Sequence, residues 1–307
     1  MKFAHLRLEG ESTTRLAAVI DEKALFLDEV MDEAPRGLQE LIEGGDAAFA
    51  AVRAHVDHAV ANRTTLTPVA ELRHSSAVLH PPVVLAIGAN YAAHASELKL
   101  RSETAMTVFS LWPNSLTGHG STTSWPGDIA REVDYEAELG VIIGHPAKDV
   151  SAEDALSHVW GYTVVNDITA RDIQYSEAQW SRCKSFDGFT PTGPFVVTAD
   201  EVPDPQDLHI WTIVDGHQMQ DASTAQMVRP VATLVSHLSR SSTLLPGTLI
   251  SHLSRSATLL PGTLISTGSP GGAGYSRDPQ VFLRDRSTVT VGIDGIGALT
   301  THCRILG

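Results

Sequence analysis

The sequence predicts a mainly β protein with some α-helix, an α+β fold. From Val83 onward the chain has many short apolar runs that are rich in β-branched residues and bounded by Gly, Pro or Asn, which is typical of strands. Helical patterns are few in the same region. The sequence contains neither a GxGxxG motif after a first strand nor a GxxxxGK[ST] motif, so dinucleotide-binding and P-loop folds have no support.

The strand predictions follow the chain in order. The N-terminal run MKFAHLRL alternates well enough for a strand. The later runs are VVLAIGANY, ELGVIIG, GYTVVND, GPFVVTAD, IWTIVDG, TLISTG and STVTVGIDGIG. Their shortness and their Gly, Pro and Asn boundaries favour strands over helices.

Three segments have helical spacing. LQELIEGGDAAFAAVRAHVDHAV predicts helices around a Gly-Gly break, and VATLVSHLSR predicts one more. SAEDALSHVWG predicts a helix from Ser151, with Glu153 and Asp154 in its first turn. Because the texture of the sequence changes near Val83, we expect a small N-terminal domain over residues 1–75 and a main domain over residues 76–307.

Composition excludes several classes of function. The 307-residue chain is 42% hydrophobic and 19% charged, as expected for a soluble globular protein, and its net charge of −14 argues against nucleic acid as a partner. No run of about 18 apolar residues predicts a membrane span, and the charged start does not resemble a signal peptide. Cys183 and Cys303 form neither a disulfide framework nor a zinc knuckle, so we expect a cytoplasmic protein.

Two carboxylates lie two residues apart in EVDYEAELGVIIG. On a strand, Glu136 and Glu138 share one face because side chains alternate. Adjacent carboxylates repel unless a cation, a proton or a basic group lies between them. The alternative is a solvated strand edge, because E-x-E is a common pattern.

A third carboxylate strengthens the interpretation as a cation site. In GYTVVNDITARDIQ a buried strand ends at Asp167, and Arg171 and Gln174 share its face if a helical turn begins after Asp167. Three carboxylates suit Mg²⁺ or Mn²⁺, whereas zinc prefers His and Cys. Asp167 also fits a helix N-cap, and the two roles are compatible.

A His–Glu pair occurs in GANYAAHASEL. His94 and Glu97 touch if the segment is helical, since they are three residues apart. The carboxylate would then fix the imidazole tautomer and raise its basicity, as a general base requires. The alternative is an ordinary surface pair.

Together these stretches resemble the fumarylacetoacetate hydrolase family, in particular its bacterial acylpyruvate hydrolases and 2-hydroxyhepta-2,4-diene-1,7-dioate isomerases. The resemblance is carried by IGANYAAHASE, DYEAELGVIIG, GYTVVNDITARDIQ, KSFDGFTPTGPFVV and LLPGTLISTGSPGGAG, from about Val83 to the C-terminus. It implies a mixed β-sandwich roll with a small N-terminal domain, and a homodimer.

The resemblance also implies a site. The matching positions for Mg²⁺ or Mn²⁺ are Glu136, Glu138 and Asp167. Arg171, Gln174 and Lys184 match residues that line the substrate site. His94 and Glu97 match a catalytic dyad on a lid. Thr267 and Ser269 match a loop that binds the substrate carboxylate, with Ser269 in place of a second Thr. The plainer alternatives are a surface lysine for Lys184 and a helix-face salt bridge for Arg171.

The implied substrate is a keto acid. A 2,4-dioxo acid can chelate a divalent cation, and water attack on its distal carbonyl breaks a carbon–carbon bond to give a pyruvate-type enolate and an acid. The same site would support isomerase or tautomerase, decarboxylase and hydratase chemistry, and binding without turnover is a further alternative. Many relatives carry Lys at the position of Leu111, so we expect a less anionic or bulkier acyl group, or reduced activity.

One segment is duplicated. SHLSRSSTLLPGTLI at residues 236–250 is followed by SHLSRSATLLPGTLI at residues 251–265. The second copy runs directly into STGSPGG, so we expect its Pro-Gly turn and strand to be the functional ones. The surplus copy is expected to form a surface excursion, because loops tolerate insertions better than strands; a recruited edge hairpin or dimer contact is the alternative.

Overall fold

The computed structural model describes residues 1–98, 106–243, 257–258 and 261–307. The fold is mainly β, as the sequence predicts. A large mixed sheet has the strand order β4-β3-β2-β1-β14-β12-β11-β19-β6-β7, with β5 beside β1 and β8 beside β14. Its strands are β1 (Lys2–Arg7), β2 (Arg15–Ile20), β3 (Lys23–Phe26), β4 (Thr67–Pro68), β5 (Arg73–His74), β6 (Val84–Gly88), β7 (Thr107–Leu111), β8 (Leu116–Thr117), β11 (Ala137–Ile143), β12 (Val159–Asn166), β14 (Thr190–Thr198) and β19 (Leu264–Ser266).

A second sheet packs on one face of the first and has the order β16-β15-β20-β21-β9. Its strands are β9 (Ser121–Pro126), β15 (His209–Val214), β16 (His217–Ser223), β20 (Thr288–Ile293) and β21 (Gly297–Leu306). Two short pairs complete the described strands: β10 (Val133–Asp134) with β13 (Thr169–Ala170), and β17 (Ser242–Thr243) with β18 (Ala257–Thr258).

The α-helices of the described residues are α1 (Leu38–Glu43), α2 (Gly45–Ala61), α3 (Ala92–Glu97), α4 (Arg171–Ser176) and α5 (Val231–Ser241). The break between α1 and α2 falls at the Gly-Gly pair, as predicted. Gly45 has φ +64°, a left-handed conformation that glycine adopts without a Cβ penalty. On α2 the buried residues Val52, Val56 and Ala59 form one apolar stripe that faces the large sheet. None of the helices among the described residues is long and apolar enough to cross a membrane.

The core lies between the two sheets. Strand β11 is buried at every position, and so is most of β12, which explains their continuous apolar runs. The N-terminal strands extend the large sheet, because β1 pairs antiparallel with β14 and places Phe3 opposite Val196.

Two sequence predictions about helices are wrong. The segment SAEDALSHVWG forms only a 3₁₀ turn at Ala155–His158, because the chain enters the buried strand β12 at Val159. The helical turn expected after Asp167 begins instead at Arg171, and its N-cap position is Ala170, so Asp167 is no helix cap. The intervening residues pair as β13 with β10.

The second copy of the repeat supplies the predicted strand. Strand β19 pairs antiparallel with β11 and parallel with β6, and it leads directly into Thr267. The predicted helix VATLVSHLSR is α5, which begins before the first copy and ends within it. The surface excursion expected for the surplus copy lies outside the described residues.

Candidate metal and active site

Three acidic side chains meet where β11 begins and β12 ends. The two strands are antiparallel with Ala137 opposite Asn166, so the residues flanking this pair are neighbours. Glu136, Glu138 and Asp167 are only 3%, 2% and 1% exposed, and one carboxylate oxygen from each lies within 4.8 Å of the others. The predicted metal ligands are therefore together and buried, and the alternative of a solvated strand edge for Glu136 and Glu138 is wrong.

Glu136 is the centre of a buried ion network. Lys184 Nζ donates to its Oε2 at 2.7 Å, and Arg171 Nη2 donates to its Oε1 at 2.6 Å. His94 Nε2 lies 2.9 Å from the same Oε1. Burial alone would raise the pKa of Glu136, but these three basic groups hold it well below its usual range.

The other two carboxylates have fewer cationic partners. Glu138 Oε2 accepts from Ser266 Oγ at 2.6 Å and from the Gly268 amide at 2.8 Å. Burial, together with the charges of Asp167 and Glu136, raises the pKa of Glu138 to about 8. Burial also raises the pKa of Asp167 to about 6, against the opposing charge of Lys184. Burial is the main cause of both raised pKa values, and neighbouring carboxylates add to it, so a cation bound here would favour the ionised forms.

The residues present fit a divalent cation. The cluster contains five carboxyl groups, of which Glu97 is partly exposed and the others are buried, and three basic groups: Glu97, Asp134, Glu136, Glu138 and Asp167 against His94, Arg171 and Lys184. With every group ionised, this leaves an excess of two negative charges, which one divalent cation balances. Asp167 Oδ1 is buried and has no hydrogen-bond partner among the described residues, so an acceptor is available for a metal ion.

Arg171 is fully buried, and each of its three nitrogens donates a hydrogen bond to a protein acceptor. Nε donates to Asp134 Oδ1 at 2.8 Å, and Nη1 donates to Gln174 Oε1 at 2.9 Å. The predicted shared helix face of Arg171 and Gln174 is thus confirmed, at i and i+3 of α4. The plainer alternative for Arg171, a salt bridge, is also present, but with Asp134 and Glu136 in the interior and not on an exposed helix face.

Lys184 is 2% exposed, so the surface-lysine alternative is wrong. Its ammonium also donates to Asp167 Oδ2 at 2.6 Å and Thr169 Oγ1 at 2.8 Å. The Phe109 ring lies beneath it, with its centroid 5.4 Å from Nζ. Neighbouring Cys183 is a free, buried thiol, in agreement with a packing role.

His94 lies between two carboxylates. On α3 its Nδ1 faces Glu97 Oε2 at 3.4 Å, so the predicted contact within the helix is present. The ring is 3% exposed, which excludes an ordinary surface pair. Burial lowers the pKa of His94, but Glu136 and Glu97 outweigh it and raise the pKa to about 9. Glu97 in turn accepts from the Gly272 amide at 2.9 Å, which ties α3 to the loop at residues 270–277.

The loop after β19 closes the cluster from the other side. Gly268 has φ +96°, and a Cβ there would lie 2.7 Å from Asn90 Cβ, so only glycine fits. Thr267 is fully buried, and its Oγ1 has no hydrogen-bond partner within the described part of the chain. Ser269 Oγ accepts from Gln220 Nε2 at 2.8 Å. Thr267 therefore keeps a hydroxyl available for a ligand, whereas the Ser269 hydroxyl is bound to protein.

Leu111 is 3% exposed and packs in an apolar cluster with Phe109 and the residues of α2. A lysine there would need a partner for its buried charge. A surface cleft of about 900 Å³ is lined by Lys2, His74, Phe195 and Trp211 among others, and it includes none of the predicted site residues.

Sequence reasoning missed three residues that hold the site together. Asp134 binds Arg171 and accepts from the Tyr275 amide at 2.8 Å. Asn90 Nδ2 donates to the Thr267 carbonyl at 2.8 Å, and Gln220 Oε1 accepts from the Ala137 amide at 3.0 Å. A signal existed for Asp134, which continues the alternation of Glu136 and Glu138 by two residues. Gln220 lies in a polar strand and gave no signal.

A two-sheet fold encloses a buried carboxylate cluster, and comparison with known proteins identifies the family. The sequence profile "Fumarylacetoacetate (FAA) hydrolase C-terminal" matches residues 83–251 and 246–304, most of the chain. The chain belongs to the fumarylacetoacetate hydrolase family. The break in the match falls inside the duplicated segment, in agreement with one copy being surplus to the family pattern.

The relatives include hydrolases and isomerases. A Burkholderia cenocepacia (strain HI2424) protein, named as a hydrolase without a substrate, is 40% identical over 229 residues, 74% of this chain and 76% of its own. Fumarylacetoacetate hydrolase from Exiguobacterium antarcticum has a TM-score of 0.79 at 30% identity, and both chains are fully covered. The 2-hydroxyhepta-2,4-diene-1,7-dioate isomerase from Mycobacterium marinum has a TM-score of 0.73 at 28% identity, covering 100% of this chain and 99% of that one.

A further structure shares the fold: maleylpyruvate hydrolase from Sphingobium sp. SYK-6 in complex with manganese(II) and pyruvate, with a TM-score of 0.79 at 24% identity and full coverage of both chains. These similarities place the protein among family enzymes of the hydrolase or isomerase class.

Proposed function

We propose that the protein is a metal-dependent hydrolase that cleaves a carbon–carbon bond of a 2,4-dioxo acid. The products are a pyruvate-type acid and a second carboxylic acid. The observation that carries this proposal is the buried triad of Glu136, Glu138 and Asp167, in a cluster that has more carboxyl groups than basic groups. The manganese and pyruvate of the maleylpyruvate hydrolase structure agree with it.

The triad would hold Mg²⁺ or Mn²⁺. A divalent ion bound there supplies Lewis-acid polarisation of the 2-keto and carboxylate oxygens. Asp167 offers its unpartnered Oδ1, and Glu138 is already oriented by Ser266 and Gly268. These hydrogen bonds fix the carboxylate before any ligand arrives, which lowers the cost of ordering it on binding.

His94 would take a proton from the attacking water in its neutral form. A cation held by Glu136 would favour that form, because it competes with the imidazolium for the same carboxylate. Glu97 holds Nδ1, so Nε2, once released from Glu136, is the nitrogen that accepts the proton. The water oxygen then adds to the distal carbonyl, the bond between C3 and C4 breaks, and its electron pair passes to the enolate, which is protonated to the keto acid. In this proposal the positive charge of Lys184 and the amide of Gln174 stabilise the oxyanion, Arg171 fixes Glu136, and the free hydroxyl of Thr267 binds the substrate carboxylate.

A second candidate reaction is isomerisation or tautomerisation on the same site, supported by the isomerase among the 28%-identical structures. Decarboxylase and hydratase chemistry use the same enolate. In isomerisation, tautomerisation and hydration, His94 would move a proton without cleaving the bond between C3 and C4. In decarboxylation the bond to a carboxylate carbon breaks instead, carbon dioxide leaves, and the electron pair stays in the enolate, which is then protonated.

The test uses chelated protein reloaded with Mg²⁺ or Mn²⁺ and a panel of acylpyruvates. We expect loss of the enol absorbance, with pyruvate and a second acid identified by mass in equal amounts. A change of the absorbance without cleavage selects isomerase or tautomerase chemistry instead. No change with any substrate, although metal binds, leaves only a keto-acid-binding protein.

The matched variants are Glu136→Ala and Glu40→Ala. Glu136→Ala removes the centre of the ion network, and we expect it to abolish metal-dependent turnover. Glu40 is a half-exposed carboxylate on α1 whose ion pair is with the exposed Arg36 and not with a site residue, so its loss should leave turnover intact. Full activity of Glu136→Ala after chelation and reloading contradicts the metal assignment.

A further inference from the structure

Two tyrosines stack at the outer edge of the ion cluster. The ring centroids of Tyr175 and Tyr275 lie 5.0 Å apart with an interplanar angle of 33°. Tyr175 is 52% exposed, although a large aromatic side chain gains most when it is buried. The pair is thus an aromatic surface open to solvent.

Short contacts connect this pair to the site. Tyr175 follows Gln174 on α4, and the Tyr275 amide donates to Asp134 Oδ2 at 2.8 Å. Asp134 binds Arg171, which binds Glu136. The loop that carries Tyr275 also binds Glu97 through Gly272. The tyrosines therefore stand on the same two elements that enclose the predicted catalytic groups.

Charge at this edge disfavours an anionic substrate arm. The guanidinium of Arg171 donates through Nε, Nη1 and Nη2 to protein acceptors. Arg277, on the same loop as Tyr275, donates to the carbonyls of Gly272 and Met219. Glu97, by contrast, presents a carboxylate with 27% of its side chain exposed. Among the described residues on these elements, Arg171 is fully buried against protein acceptors, Arg277 is engaged with backbone carbonyls, and the partly exposed Glu97 would repel a second carboxylate.

We infer that Tyr175 and Tyr275 form a binding surface for the acyl arm of the substrate, and that this arm is uncharged and planar, as in an aroylpyruvate. The inference rests on the proposed function and adds the substrate class to it. Aromatic pairs prefer offset or tilted stacking at centroid distances of about 4.5–7 Å, so a third planar group can extend the stack.

The experiment compares kcat/KM for benzoylpyruvate, acetylpyruvate and fumarylpyruvate in the metal-loaded full-length protein. We expect the wild type to favour benzoylpyruvate over both of the others. In Tyr175→Ala and in Tyr275→Ala, the ratio of benzoylpyruvate to acetylpyruvate should fall about tenfold, chiefly through KM. Tyr175→Phe keeps the ring and should keep most of the preference.

Leu156→Ala is the matched control, since it removes an exposed apolar side chain (38%) outside the site and should change no ratio. A wild-type preference for fumarylpyruvate, or an unchanged ratio in both alanine variants, overturns the inference while the hydrolase proposal stands. Absence of cleavage of any acylpyruvate by the wild type overturns both.

Discussion

The substitution Arg171→Met tests the buried ion network through stability. Methionine retains a long side chain but removes three hydrogen bonds of the guanidinium, two of which are to the carboxylates of Asp134 and Glu136. Hydrogen bonds to charged groups contribute about 1.5–3 kcal/mol each. Removing one partner of a buried ion pair typically costs about 3–5 kcal/mol, because the remaining charge has no compensation. We expect the free energy of unfolding to fall by about that amount.

The assay is urea unfolding followed by tryptophan fluorescence, with chelator present and at one protein concentration for all variants. The double variant Asp134→Asn/Arg171→Met removes a carboxylate that the single variant leaves unpaired, so it should recover about 1–2 kcal/mol relative to Arg171→Met. A loss below about 1 kcal/mol in the single variant, or a double variant that is less stable still, would refute the reasoning.

Three further predictions concern other parts of the molecule. Burial lowers the pKa of His5 from 6.5 to about 4, so the contribution of the neutral ring to the free energy of unfolding is present above pH 6.5 and lost as the pH falls towards 4. In urea titrations across this range, the unfolding free energy of the wild type should fall by about 3 kcal/mol more than that of His5→Asn, and equal losses would contradict this prediction. Gly88→Ala places a Cβ 2.4 Å from the Trp180 ring, and a fall of about 1–3 kcal/mol in unfolding free energy is expected; an unchanged thermal midpoint would show that the ring moves aside at no cost. Deleting residues 236–250 or residues 251–265 leaves chains that differ only in Ser242 versus Ala257, so both should fold with similar thermal midpoints and remain active; loss of folding would show that the repeat has been recruited.

The sequence predicted the strands better than the helices. Runs such as ELGVIIG are buried on both faces, and their apolar character is a direct result of that position. SAEDALSHVWG has equally good helical signals, yet the tertiary pairing of β12 takes over at Val159. Local propensity cannot show which long-range partner a segment finds.

The site was predictable where one local pattern places a side chain. Strand alternation put Glu136 and Glu138 on one face, and helical spacing joined His94 to Glu97. The contact between His94 and Glu136 joins residues that are distant in sequence, so no spacing rule indicates it. The same holds for Lys184, whose ammonium reaches two carboxylates through the packing of separate elements.

The central claim is that the buried triad binds one divalent cation. Equilibrium dialysis of chelated protein against Mn²⁺, with the bound metal counted by mass spectrometry, tests it most directly. The matched variant is Glu138→Gln, which keeps the shape of a 2% exposed side chain and removes its charge. We predict one Mn²⁺ per chain for the wild type and a large loss of affinity for Glu138→Gln. Equal binding by the two proteins, or no binding by the wild type, would contradict the claim.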